Sequence, residues 1–182
     1  FAFLLSMPGA PFIYYGDEIG LRYVEGLTSV EGGYGRTGSR SPMQWDKTPN
    51  AGFSSAPAEK LYVKQDDAPD RPDAASQCAD ETSLRSEVKR LIALRMAHPA
   101  LQSKGTVSFL ADNYPLAYER SSEEESILVV INPSAAPAVL SAEELCALNK
   151  ELLYTIGGTI KENADHTLQV DGGTASFIAL TK

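Results

Sequence analysis

The chain begins with apolar residues broken by proline and glycine, and ends in short stretches where apolar and polar positions alternate. Residues 1–7, Phe-Ala-Phe-Leu-Leu-Ser-Met, read as the end of a helix stopped by Pro8, Gly9 and Pro11, since proline has no amide to offer a helical ladder. Phe12, Ile13, Tyr14 and Tyr15 form a continuous apolar run of the kind a fully buried parallel strand needs. From about residue 20 to residue 80 the chain is irregular and rich in Gly, Pro, Ser and Asp, a loop length usually reserved for function or disorder. Leu61, Tyr62 and Val63 within it predict that this segment is pinned to a surface.

Residues 80–97 carry a helical period, with Leu84, Val88, Leu91, Ile92 and Met96 on one face. Asp80 or Ser83 is placed to cap the start, and Pro99 ends the helix near His98. His98 is expected to be an ordinary helix-end residue without a catalytic role. After Gly105 the period changes to two. Strands are predicted at 106–110, 116–120, 126–132, 138–140, 151–156, 167–170 and 176–181, with turns at Asn-Pro-Ser, Gly157-Gly158 and Asp-Gly-Gly. Such spacing predicts a small antiparallel sandwich. Residues 127–132, Ile-Leu-Val-Val-Ile-Asn, are apolar on both faces and predict its core strand, while Glu123, Glu124 and Glu125 read as a solvated hairpin tip.

Composition narrows the function classes. A formal charge of −8 over 182 residues argues against nucleic acid, because nothing here would displace counterions from phosphates. Two cysteines, Cys78 and Cys146, and two histidines give no metal-ligand spacing, so neither a metal site nor a disulfide framework nor a cofactor is expected. The cysteine usage suits a reducing, cytoplasmic setting. No apolar run is long enough to span a membrane, so no membrane partner is expected. The chain opens in mid-pattern, without an initiator methionine, and is expected to be cut from something longer.

The candidate chemistry starts where the apolar run 12–15 delivers Asp17 and Glu18. Glycoside hydrolysis needs two carboxyl groups facing each other across the bond. Adjacent acids on an extended chain point to opposite faces, so these two fail as a catalytic pair. Either one faces a cleft while the other pairs with a basic residue, or both are strand-end acids held by backbone amides or arginines. The stretch GRTGSRSPMQWDKTPNAGFS, residues 35–54, adds Arg36 and Arg40, whose forked guanidinium groups suit carboxylates or paired hydroxyls. It also adds Trp45 and Phe53, which with Tyr34 offer flat faces that suit a sugar ring or a core equally.

GAPFIYYGDEIGL together with RSPMQWDKTPNAGFS resembles the α-glucosidase branch of the α-amylase family, glycoside hydrolase family 13, which includes oligo-1,6-glucosidases and trehalose synthases. In that family the first motif is the eighth and last strand of a (β/α)8 barrel and the second lies in the long loop after it. LIALRMAHPAL resembles the last barrel helix, and the remainder resembles the C-terminal β-sandwich called domain C. The resemblance therefore implies a mainly β chain with α: the last β/α unit and long loop of a TIM barrel over 1–104, then the antiparallel sandwich over 105–182.

The resemblance also implies a role. Barrel active sites lie at the C-terminal ends of the strands, so the acids after Tyr15 mark a sugar-binding rim. The family's catalytic Asp, Glu and Asp follow the fourth, fifth and seventh strands and would all precede Phe1, so no catalytic residue is assigned. Substrate binding is assigned to Arg40, Arg36 and Asp17. Arg40 matches the arginine that holds the terminal glucose, with Ser41 where threonine is common. The parent is expected to act on α-glucosidic bonds of oligosaccharides or disaccharides by a retaining mechanism. A transglycosidase or isomerase such as a trehalose synthase is the alternative, as is a structural or carbohydrate-binding module. With its barrel neighbours gone, the strand at 12–15 would leave an apolar edge inviting self-association through residues 1–20.

Overall fold

The structure, a computed structural model, describes residues 1–111, 113–141 and 148–181. Cys146 lies outside the described residues; Cys78 is a free, exposed thiol. Helices α1 (Ala2–Ser6), α2 (Ala74–Cys78) and α3 (Leu84–Ala97) are joined by short 3-10 turns. Among the described residues no helix is long and apolar enough to cross a membrane. The chain forms two compact units, one from residues 1–11 and 90–182 and the other from residues 12–89.

The first unit holds the strands β1 (Thr106–Ala111), β2 (Leu116–Ser121), β3 (Ser126–Asn132), β4 (Ala138–Leu140), β5 (Asn149–Ile156), β6 (Ile160–Glu162), β7 (Leu168–Val170) and β8 (Thr174–Thr181). All pairings are antiparallel, giving a five-stranded sheet in the order β1-β2-β3-β8-β5 and a three-stranded sheet in the order β4-β7-β6. Seven of these strands match predicted ones; β6 does not, being three residues long with two of them exposed.

The register explains the core. In β3, Leu128 and Val130 point with Ala117, Ile178 and Leu180 toward Leu140, Leu168 and Val170 of the smaller sheet, closing one apolar cluster. Ile127 and Val129 point the other way, level with Tyr118 and Phe177. All four are 1% exposed or less. This second face is covered by α1 and by the 3-10 turn Pro99–Leu101. A strand buried on both faces has no polar alternation, and 127–131 has none.

Two buried arginines fasten α1 to this face. Arg95 donates to the carbonyls of Leu5, Met7, Gly9 and Leu101. Arg120, 0% exposed, donates to those of Ser6, Gln102, Gly105 and Thr106. The last carbonyls of a helix have no intrahelical donor and carry its negative dipole end, so guanidinium groups are well matched to them. Burial lowers the pKa of both arginines, and for Arg120 the nearby Arg95 lowers it further. The Ser6 and Tyr118 hydroxyls lie 2.6 Å apart. Burial pushes the Tyr118 hydroxyl up to about 12.

Glu125 is more than a solvated tip. Its carboxylate meets His98 Nδ1 at 2.8 Å and accepts the Ala100 amide at 3.0 Å. It thereby satisfies the open N-terminal end of the 99–101 turn. His98 is thus held by a carboxylate at the helix end.

In the second unit, Ser83 rather than Asp80 caps α3, accepting the Ser86 amide at 3.2 Å; Asp80 instead closes a local turn on Thr82. Helix α2 interrupts the irregular segment and was not expected. Asp73 caps it through the Ser76 amide and hydroxyl. The expected strand at 12–15 is corrected: these residues make no ladder among the described residues, and Phe12 is 89% exposed. Apolar composition makes a chain suitable for a strand, but hydrogen-bonded neighbours make it one.

Candidate functional site

The site lies within the unit of residues 12–89 and is built by two turns. The first starts at Gly16, whose φ of 88° is left-handed, a conformation glycine adopts without steric cost. A Cβ at this position would also fall 1.9 Å from Leu21 Cδ1. The reversal throws residues 17–19 into a 3-10 turn, so Asp17 and Glu18 are not successive positions of an extended chain. Glu18 folds back to accept the Gly16 amide at 2.8 Å. Asp17 is exposed and accepts the Tyr14 amide at 3.3 Å.

The second turn is strained. Asn50 and Ala51 both sit at φ 54°, followed by Gly52 at φ 68°, a left-handed path that costs non-glycine residues about 1–2 kcal/mol each. Ala51 is fully buried. The path is held by the Ala51 carbonyl accepting the Trp45 and Asp46 amides and by the Asn50 side chain donating to the Ser54 and Ala56 carbonyls. Asp46 accepts both the amide and the hydroxyl of Thr48, which keep its carboxyl below the ordinary aspartate range. The α2 amides of Ala74 and Ala75 pair with the Gln44 and Trp45 carbonyls. The outcome is that Trp45 and Phe53, at either end of this turn, remain 53% and 49% exposed.

These turns wall a cavity of about 500 Å³ lined by Tyr15, Glu18, Arg40, Met43, Trp45, Phe53 and Tyr62, with Pro42 and Val63. The Tyr15 hydroxyl donates to the Ser41 carbonyl at 3.0 Å. Burial and the neighbouring Tyr14 raise its pKa, against an opposing pull from Arg40, so it stays a neutral donor. The Arg40 guanidinium has no hydrogen-bond or ion-pair partner among the described residues. A smaller cavity of about 200 Å³ shares Arg40, Tyr62 and Val63, and adds Ser29, Glu31, Tyr34, Arg36 and Thr37. Val30 donates to the Tyr62 carbonyl at 3.0 Å, and Ser29 bridges Val63. The 61–63 triplet is therefore pinned as its apolar character suggested.

Of the assigned residues, Arg40 lines both cavities, Arg36 lines the smaller one and Asp17 lines neither. Glu18, its neighbour, faces the larger cavity instead. Tyr62 was not assigned; its signal was the aromatic residue inside the pinned triplet. Open aromatic walls with one guanidinium donor and one carboxylate acceptor suit a neutral ligand bearing hydroxyl groups. Among the described residues no group of three or more His, Cys, Asp or Glu could hold a metal ion.

Residues 1–104 match the family model for the α-amylase catalytic domain. The chain belongs to the α-amylase family, glycoside hydrolase family 13. It is 37% identical over 145 residues to the trehalose synthase/amylase TreS of Mycobacterium tuberculosis, an alignment covering 75% of this chain and 23% of that protein. It is 30% identical over 190 residues to a probable α-glucosidase of Rhizobium meliloti, covering 97% of this chain and 33% of that protein. Its structure aligns with the crystal structure of the trehalulose synthase MutB from Pseudomonas mesoacidophila with a TM-score of 0.81 at 25% identity, over 99% of this chain and 37% of the other. The chain thus spans about a quarter to a third of the length of these curated relatives.

Proposed function

We propose that this chain is the sugar-holding C-terminal part of an enzyme acting on α-glucosidic bonds. In this reading residues 1–104 are the last strand segment, long loop and last helix of a (β/α)8 barrel, and residues 105–182 are the C-terminal β-sandwich. The parent works with retention through a nucleophilic carboxylate and a general acid, both contributed from outside this stretch. The observation that carries the reading is Arg40: an arginine of the RSPMQW segment, unpaired, in a cavity walled by Trp45, Phe53 and Tyr62. Its fork would donate to adjacent hydroxyls of a terminal glucose while the aromatic faces cover the ring. Arg36 serves the neighbouring cavity, and Asp17 stands near the rim.

The identity to the trehalose synthase of M. tuberculosis favours a second reading, in which the released sugar rather than water attacks the glucosyl intermediate. Both readings make the same demand on this chain. Trp45 is its only tryptophan and reports the cavity directly. Glucose titration should quench its emission saturably, and Arg40→Ala should abolish the response, while p-nitrophenyl α-glucoside should release nothing above buffer. No response to glucose, or turnover by the chain alone, would overturn the proposal.

A further inference from the structure

The smaller cavity has a different chemistry from the larger one, and the motifs do not account for it. Its walls come mainly from residues 29–37, a stretch individual to this chain, joined to the larger cavity only through Arg40, Tyr62 and Val63. Arg36 lies over the Tyr34 ring, 5.4 Å from its centroid, which orients the guanidinium without neutralising it. Thr37 accepts the Tyr34 amide at 3.1 Å and fixes that turn. Arg36 has no carboxylate partner among the described residues, even though Glu31 lines the same cavity. A donor fork, a carboxylate acceptor and the exposed Tyr62 ring on one side form a mixed set. A phosphate would meet repulsion from Glu31, whereas vicinal hydroxyls need both donors and acceptors.

We infer that this cavity is a second sugar subsite, built by Arg36, Glu31 and Tyr62, that receives the neutral hexose linked to the one held at Arg40. The inference rests on the proposed function and extends it from one sugar to two. Tyr62, shared by both cavities, forms the wall between the two rings and thereby bears on which linkages fit.

Trp45 fluorescence of the whole chain, titrated with glucose, maltose and glucose 6-phosphate, tests this. Maltose should bind about tenfold tighter than glucose, a difference of one strong contact. Arg36→Ala and Glu31→Gln should each collapse that preference toward unity, and Tyr62→Phe should preserve it, since the ring face is retained. Arg36 and Glu31 are exposed, so their replacement does not threaten folding. Equal affinities for glucose and maltose in the wild-type chain would overturn the second subsite and leave the first intact. Tighter binding of glucose 6-phosphate than of maltose, lost in Arg36→Ala, would overturn it in favour of an anion site. Silence toward all three sugars would overturn the proposed function itself.

Discussion

Tyr15 donates its hydroxyl to the carbonyl of Ser41 at 3.0 Å, tying the segment after the first proline turn to the residue next to Arg40. The contact is local and half-exposed, so its loss should act on positioning more than on stability. Tyr15→Phe should cost about 0.5–1.5 kcal/mol at most, lowering glucose affinity several-fold with little change in melting temperature. A large drop in melting temperature would make the bond structural instead.

Arg40 carries more. In an active enzyme containing this chain, Arg40→Ala should lower kcat/KM by the equivalent of about 2–4 kcal/mol, from the lost charged hydrogen bonds and the misplacement that follows. Arg40→Lys should recover little, because a point charge does not reproduce the fork. Steady-state kinetics of the three forms decide it, and near-normal values for the alanine form would remove Arg40 from the site.

The strained turn makes an asymmetric pair of variants at Ala51. Glycine relieves a left-handed residue but removes a buried methyl and adds unfolded-state freedom, terms of about 1 kcal/mol each that nearly cancel. Valine adds bulk at a fully buried site with φ 54° and should cost about 2–3 kcal/mol. Urea unfolding measures both. Trp45 emission should also change in the valine form, because Trp45 donates its amide to the Ala51 carbonyl.

The strands were legible because side chains of a half-buried strand alternate, and each run was closed by its own turn residues. The helix over 84–97 was equally visible from one apolar stripe and a serine cap. Neighbours decided what was not legible. The run 12–15 has strand composition but no ladder here, and β6 is too short and exposed to show a period. Glu18 replaced Asp17 at the cavity because Gly16 turns left-handed, and a sequence does not state the φ of a glycine. The carbonyl shells of Arg95 and Arg120 join residues about ninety and more positions apart, beyond any local pattern.

Those shells make residues 1–11 part of the first unit. Arg120→Met should destabilise by about 3–5 kcal/mol, since it strands several buried carbonyls at once. Deleting 1–11 should lower the melting temperature of the remainder, contrary to a picture of 105–182 as self-sufficient. Self-association through residues 1–20 then falls to the side chains still open, Phe12 above all. Light scattering should show Phe12→Asp reducing association while the deletion variant aggregates.

The central claim is that this chain holds a sugar at Arg40. The most direct measurement is a map of amide and indole chemical shifts across the whole chain as glucose is added. The account predicts saturable shifts concentrated at Glu18, Arg40, the Trp45 indole, Phe53 and Tyr62, with the strands β1 to β8 unmoved. Shifts confined to residues 105–182, or none at saturating sugar, would contradict it.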